Sequence, residues 1–360
     1  MPAYNHADFI TESVQSVISQ DFSDLELLIG DDGSHDDTFA NACKIRESRI
    51  KLFRNPTNQG AALALSKLVD RASGKYVAVI NSDDAWLPGK LAKQVEYLEN
   101  HPEVGACFGR PRFFDRSGHD LPKSSLSFGG IFDAENRSRG AWLRHFFLRG
   151  NCLCHPTVVM RRDLLLQLGH YDNRLRQLPD FDMWIRFAKL SSFHIMNEEL
   201  IRFRVLPGEN ASAITRKNST RILNEQYFIA QRFFDGISAG LLREGFHDML
   251  TQTELPTQEH IDIETAFIFL RPQGRLKPLY SMVALSKLHE LLGNASHREI
   301  MRKDYNFTDF DLHKLASEVD TLERANSGFV SRLRVLASPL RNRAMGWVHA
   351  LNQRRKNGGK

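Results

Sequence analysis

The chain has 360 residues, 42% hydrophobic and 25% charged, which are globular averages and exclude wholesale disorder. Its length calls for two domains, or one large domain with an appendage. Four cysteines are too few for a disulfide framework. Cys152-Leu153-Cys154-His155 has too short a gap, and no second pair, to close a zinc tetrahedron, so reduced thiols in a cytoplasmic protein are expected. The formal charge of +5 belongs to the end of the chain: from Arg324 onward there are nine Lys or Arg and no carboxylate. The remaining body is close to neutral, which argues against nucleic acid as a partner. No run approaches the roughly 18 apolar residues of a membrane span, and Met1 leads directly into Pro2-Ala3-Tyr4-Asn5 without the pattern of a signal peptide.

The first third alternates helix and strand. Phe9, Ile10, Val14, Val17 and Ile18 recur at helical spacing. A buried strand over 25–30 ends at Asp31-Asp32-Gly33-Ser34. A helix over 38–46, a short strand over 50–53 and a helix over 61–72 follow. The apolar strand Tyr76-Val77-Ala78-Val79-Ile80 ends in Asn81-Ser82-Asp83-Asp84, then come a helix from Pro88 to about residue 100 and a strand over 104–108. This alternation predicts an α/β fold with a mostly parallel sheet covered by helices on both faces, whose ligands bind beyond the carboxyl ends of the strands. Both acidic clusters fall at such ends. Residues 116–140 read as a polar loop beside the site, 157–160 as strand, 181–189 as helix and 201–205 as strand. Beyond about Ala213 the alternation gives way to an α-helical region. The expected divisions are 1–115, 116–212, 213–320 and a basic amphipathic tail over 321–360.

Asp31-Asp32-Gly33-Ser34 offers two carboxylates that can accept hydrogen bonds from a base or sugar, or it is an acidic turn whose Ser34 or Asp36 caps the next helix. In Asn81-Ser82-Asp83-Asp84 the closely spaced carboxylates are hard oxygen ligands suited to Mg²⁺ or Mn²⁺ bridging phosphate oxygens. A cation and a nucleoside diphosphate would also relieve the repulsion between two such clusters at neighbouring strand ends. In Pro179-Asp180-Phe181-Asp182-Met183-Trp184-Ile185-Arg186, Asp182 and Arg186 are i,i+4 partners, while Asp180 is either a helix cap or a positioned base.

With these motifs in order, the chain resembles the family 2 glycosyltransferases of GT-A fold. The matching text includes Pro2-Ala3-Tyr4-Asn5-His6, Asp31-Asp32-Gly33-Ser34, Asn58-Gln59-Gly60, Asn81-Ser82-Asp83-Asp84-Ala85-Trp86, His155-Pro156-Thr157 and Asp180-Phe181-Asp182-Met183-Trp184. The resemblance covers roughly residues 1–212. It implies inverting transfer from a nucleotide sugar to a glycan or lipid-linked saccharide in cell-surface polysaccharide synthesis, with 1–115 as the donor half and 116–212 as the acceptor half. Pro2, Ala3, Tyr4, Asn5 and Asp31 would hold the nucleotide, with Asp32, Ser34 and Asn81 contributing. Asp83 and Asp84 would take Mg²⁺ or Mn²⁺ and the donor. Asp180 would be the catalytic base, and His155 and Trp184 would line the acceptor side.

The sequence also departs from that family. An apolar first strand is expected before Pro2, so a form extended upstream is expected to be the more stable one. Asn81 replaces an acidic residue, Leu65-Ser66 replaces Arg-Asn, Pro179 replaces the acid before the base, and Leu206 stands where some members carry a metal-binding His. The short start and Asn81 keep open a second reading, a catalytically degenerate member acting as a binding or scaffold protein. A nucleotidyltransferase would want a Gly-rich basic phosphate loop, which is missing, and no Gly-x-Gly-x-x-Gly supports dinucleotide binding. In the tail, Phe329, Leu333, Leu336, Leu340, Trp347 and Leu351 alternate with arginines, a pattern for peripheral contact of 324–360 with the cytoplasmic face of a membrane.

Overall fold

The computed structural model describes residues 1–210, 213 and 215–319. The tail expectation for 324–360 therefore lies outside the described residues. Strand β1 (Pro2–Ala3) is followed by α1 (Ile10–Ile18), β2 (Leu27–Asp31), α2 (Thr38–Lys44), β3 (Ile50–Arg54) and α3 (Ala61–Arg71). Next come β4 (Tyr76–Ala78), β5 (Ala85–Trp86), α4 (Lys90–Asn100), β6 (Val104–Phe114), β7 (Asp120–Leu121) and α5 (Arg139–Arg149). Then follow β8 (Val159–Arg161), α6 (Arg162–Leu168), α7 (Pro179–Leu190) and β9 (Ser192–Arg204). The rest is helical: α8 (Arg216–Arg232), α9 (Ala239–Phe246), α10 (Gln258–Ile268), α11 (Lys277–Gly293), α12 (Ala295–Asp304) and α13 (Asp309–Glu318).

The α/β class is as expected, but the sheet is more mixed than the alternation suggested. β1, β2 and β3 form a parallel group in that order. A second group runs β4-β8-β6-β9-β5, in which only β6 and β9 are parallel. With two residues, β1 makes rungs with β2 alone, and among the described residues the two groups are separate ladders. The register places Ala3, Asp31 and Arg54 on one rung at the carboxyl ends of their strands. Every residue of β2 is buried, consistent with its unbroken apolar run.

Two helices were not anticipated. In α5, Trp142, Leu143, Phe146 and Phe147 are buried at helical spacing, and α6 starts directly where β8 ends. Trp142, Phe146, Trp184, Phe187 and Phe193 pack as an aromatic cluster, with Phe187 and Phe193 stacked at 5.2 Å.

The expected boundary near Ala213 moves. One compact unit runs Met1–Gly245 and a second begins at Phe246. Helix α8 falls in the first unit, where its buried Glu225 accepts the N–H groups of Arg176, Gln177 and Leu178. The second unit has its own core of Ile263, Ala266, Leu288, Leu292, Met301, Tyr305 and Phe307. In it, Glu264 accepts the N–H groups of Thr251 at 2.8 Å and Gln252 at 2.5 Å.

Candidate active site

The rung at the end of β2 starts the site. Asp31 is 1% exposed; its Oδ2 meets Arg54 Nε at 3.2 Å and the Ser34 N–H at 3.3 Å. Its Oδ1 is buried without a partner among the described residues. Asp32 is different: it accepts the N–H groups of Gln59 at 3.0 Å and Gly60 at 2.8 Å and the Asn55 amide at 2.8 Å. Both Asp32 oxygens are thus engaged in holding loop 55–60.

Between these aspartates and that loop only glycine fits. Gly33 has φ of +74°, and an added Cβ would lie 2.7 Å from the Thr57 carbonyl carbon. The first segment is stitched to the same turn: Ser34 Oγ accepts the Asn5 N–H at 3.0 Å, and Asn5 Oδ1 accepts that of His35 at 2.9 Å. Ser34 thus shapes the rim through Asn5, Ala3 is buried in the strand, and the Tyr4 ring projects 37% exposed beside His35.

The turn before β5 divides its labour in the same way. Asp84 is 1% exposed; it accepts the Asn81 amide at 2.9 Å and the Arg204 N–H at 2.9 Å. Burial, then the charge of Asp83, pushes its carboxyl well above the usual range. Each Asp84 oxygen thus accepts one donor, and Asn81 serves Asp84. Asp83 Oδ2 receives a long contact from Asn210 Nδ2 at 3.5 Å. Burial raises its carboxyl too, opposed by His6 and Arg204. His6 Nδ1 lies 2.7 Å from Ser82 Oγ.

Arg204 pins this turn. Its Nε donates to the Asp83 carbonyl at 2.8 Å, its guanidinium pairs with Glu12, and it lies over the rings of Phe9 and Phe114 at 4.5 and 4.1 Å. Sequence reasoning passed over it, although an Arg at the end of an apolar strand run is the signal.

The third acidic pair opens α7. Pro179 occupies the first turn, where its missing N–H costs nothing. Asp180 follows and accepts the Asn151 amide at 2.8 Å. Burial lifts its carboxyl to about 6, against the pull of the helix-start N–H of Phe181 and of Asn151. Asn151 is delivered by Gly150, which ends α5 with φ of 86°. Asp182 is 4% exposed and lies between Arg186 Nε at 2.9 Å and Arg232 at 3.0 Å.

His155 Nε2 lies 3.0 Å from the Tyr171 hydroxyl, and burial depresses its imidazole to about 4, so it is neutral near pH 7. Burial, then the charges of Asp84 and Asp180, raises the Cys154 thiol, so both carboxylates lie within electrostatic reach of it. Trp184 does not line a surface as expected. It is 0% exposed and packs edge-on against Phe108 at 4.9 Å, with His155 at 5.7 Å on another side. With Phe193 at 6.2 Å as a third ring neighbour, Trp184 is core.

Residues 1–166 match the sequence model of glycosyl transferase family 2. The chain carries a family 2 glycosyltransferase domain. An uncharacterized glycosyltransferase of Methanocaldococcus jannaschii is 28% identical over 215 residues, 58% of this chain and 71% of that one. The Escherichia coli enzyme WfaP, a UDP-Glc:alpha-D-GlcNAc-diphosphoundecaprenol beta-1,3-glucosyltransferase, is 32% identical over 160 residues, 44% of this chain and 58% of its own. Two solved structures share the GT-A fold at 17% identity. S. aureus TarS 1–349 with UDP-GlcNAc has a TM-score of 0.54, covering 83% of this chain and 86% of that one. The Pyrobaculum calidifontis mannosyltransferase PcManGT with GDP-Man and Mn²⁺ has a TM-score of 0.52, covering 90% and 86%.

Of the two carboxylates in the turn before β5, Asp83 is the less heavily bonded. Among the described residues no group of three His, Cys, Asp or Glu could hold an ion. One under-bonded carboxylate fits Mg²⁺ or Mn²⁺, which keep several waters and are completed by substrate phosphates. With Leu206 buried at the alternative ligand position, Asp83 is the residue that would hold it.

Proposed function

We propose that the enzyme transfers a sugar, with inversion, from a UDP-sugar to a hydroxyl of a lipid-linked saccharide. The observation that carries this reading is Asp180: a carboxylate at a helix start, held by one amide and raised to about 6 by burial, suited to take a proton near neutral pH. The acceptor hydroxyl gives its proton to Asp180 as its oxygen bonds to the anomeric carbon. The bond from that carbon to the diphosphate breaks, and the nucleoside diphosphate leaves from the opposite face. A cation at Asp83 would supply positive charge to the departing diphosphate.

On the donor side, the unpartnered Asp31 Oδ1 can accept an imide N–H such as that of uracil, and the exposed Tyr4 ring offers a face to the base. His155, neutral beside Tyr171, can hydrogen-bond an acceptor. UDP-glucose as donor and a diphospholipid-linked GlcNAc as acceptor are supported by the named activity of WfaP and, for UDP, by the TarS complex.

The test is a thermal-shift panel of UDP-glucose, UDP-GlcNAc and GDP-mannose with Mn²⁺, then turnover with a synthetic GlcNAc-diphospholipid. UDP-sugars are expected to raise Tm, and no response to any of them overturns the reading. Peripheral membrane contact rests on the lipid-linked acceptor and the arginine-rich sequence of 324–360. Deleting 324–360 should lower binding to vesicles containing anionic lipid; equal binding by both forms refutes it.

A further inference from the structure

The active-site loop before α7 is held by a helix outside the stretch matched by the family, and that contact is not used by the chemistry above. Helix α8 starts at Thr215, whose side chain accepts the Asn218 N–H at 3.1 Å, and carries two polar residues inward. Glu225 is 3% exposed. Its Oε1 accepts the N–H of Arg176 at 2.8 Å, and its Oε2 accepts those of Gln177 at 2.8 Å and Leu178 at 2.9 Å. Three consecutive backbone N–H groups converging on one anion form a concave nest. A carboxylate is buried only where its charge is met, and this nest meets it. Seven residues on, on the same helical face, Arg232 reaches Asp182 at 3.0 Å and Asp172 at 2.6 Å.

The consequence for Asp180 follows from chain geometry. Leu178 is the N-cap of α7; its carbonyl accepts the Asp182 N–H at 3.1 Å while its own N–H is held by Glu225. Asp180 is two residues further, in the first turn. Any swing of 176–178 moves the first turn as a body and with it the carboxylate that Asn151 contacts. Arg232 grips the residue pair on either side of that loop, so α8 holds both flanks of Asp180.

We propose that Glu225 is a positioning residue for Asp180, acting through the backbone of Arg176, Gln177 and Leu178. This rests on the reading of Asp180 as the proton acceptor. Glu225 touches no reacting atom; it fixes where the base stands. A misplacement of about 1 Å in such a group is enough to cost roughly 100-fold in rate.

The experiment uses the full chain with Glu225→Gln and, as a milder second variant, Glu225→Asp, which keeps the charge but shortens the reach. Three readouts are taken. In Glu225→Gln, amide exchange at Arg176, Gln177 and Leu178 should quicken at least tenfold. The Asp180 titration, followed by ¹³C NMR without substrate, should move from its midpoint near 6 toward the ordinary range as the loop admits water. UDP release from UDP-glucose should fall 10–100-fold in kcat, with donor KM within twofold of wild type. Glu225→Asp should fall between the two, and it alone is scored if Glu225→Gln does not fold. A folded variant whose Asp180 midpoint and kcat are unchanged overturns the proposal, whatever its Tm. Full turnover by Asp180→Asn would instead overturn the assignment of the base, leaving the exchange and titration results to judge the loop contact itself.

Discussion

The turn after β2 and the first turn of α7 each present two aspartates, and they solve the same electrostatic problem by different means. At the strand end, Asp32 is neutralised by backbone N–H groups of loop 55–60, while Asp31 keeps one buried oxygen free. At the helix start, Asp182 is neutralised by two guanidinium groups, one from its own helix and one from α8, while Asp180 receives no cation, the Phe181 N–H and the Asn151 amide being its partners among the described residues. The turn before β5 follows the first pattern, with Asp84 engaged and Asp83 nearly bare. In each pair the second carboxylate is the more fully compensated one, and the proposed function gives the first to the ligand. On that proposal the pairs divide structure from chemistry rather than double one role.

The sharpest way to break this comparison is at α7. Asp180→Asn should lower kcat by roughly 10²–10⁴-fold with donor affinity little changed. Asp182→Asn should lower Tm, because Arg186 loses its ion pair and Arg232 is left with Asp172 alone, a loss of about 1–3 kcal/mol. An inactive but thermally normal Asp182→Asn beside an active Asp180→Asn would reverse the assignment.

The second contrast is expected at the β5 turn. Asp83→Ala should abolish the Mn²⁺-dependent Tm shift given by UDP while leaving the ligand-free Tm at or above that of wild type, since a buried, raised carboxylate is removed. Asp84→Asn should cost about 1–3 kcal/mol by leaving the Arg204 or Asn81 donor unmatched. Transfer undiminished by excess EDTA would remove the metal from the scheme.

A smaller difference separates Asp31 from Asp32. Asp32→Asn should destabilise by about 1–3 kcal/mol, seen as a lower urea midpoint, because the new NH2 faces either the Gly60 N–H or the Asn55 amide and leaves that donor unmatched. Asp31→Asn should instead weaken UDP binding, read by calorimetry, with the urea midpoint unchanged. Equal destabilisation by both would erase the distinction.

The mildest effect is on pH. A base must be deprotonated to act, so log kcat/KM should rise with pH up to about 6 and then level. Asn151 donates to the charged form, which lowers the pKa; Asn151→Ala should therefore shift the rising limb to higher pH. A limb that stays in place would show that Asn151 does not set the carboxylate.

Much of this was legible along the chain. The helices α1, α3, α4 and α7 and the strand β2 follow from apolar periodicity, and Gly33 announces the sharp turn that brings Asp31 to a strand end. What failed did so for physical reasons. α5 was hidden because its apolar residues sit among arginines in a stretch adjoining a polar loop. Trp184 was given to the acceptor side by the resemblance alone, yet Phe108 and Phe193 enclose it. Glu225 had no signal at all: one carboxylate in a polar helix looks solvated until the loop it faces is known.

By itself, then, the sequence determined the order of elements, the family and the places where carboxylates gather, because periodicity, turn residues and motif spacing are local properties. Only the tertiary structure decided which carboxylate of each pair is engaged. Asp32 is met from 27 and 28 residues away, Asp84 from 120 residues away, and Asp182 by an arginine of a helix that begins well after β9. A buried charge is settled by the donors within about 3 Å of it, and folding brings those donors there from segments that sequence spacing does not relate.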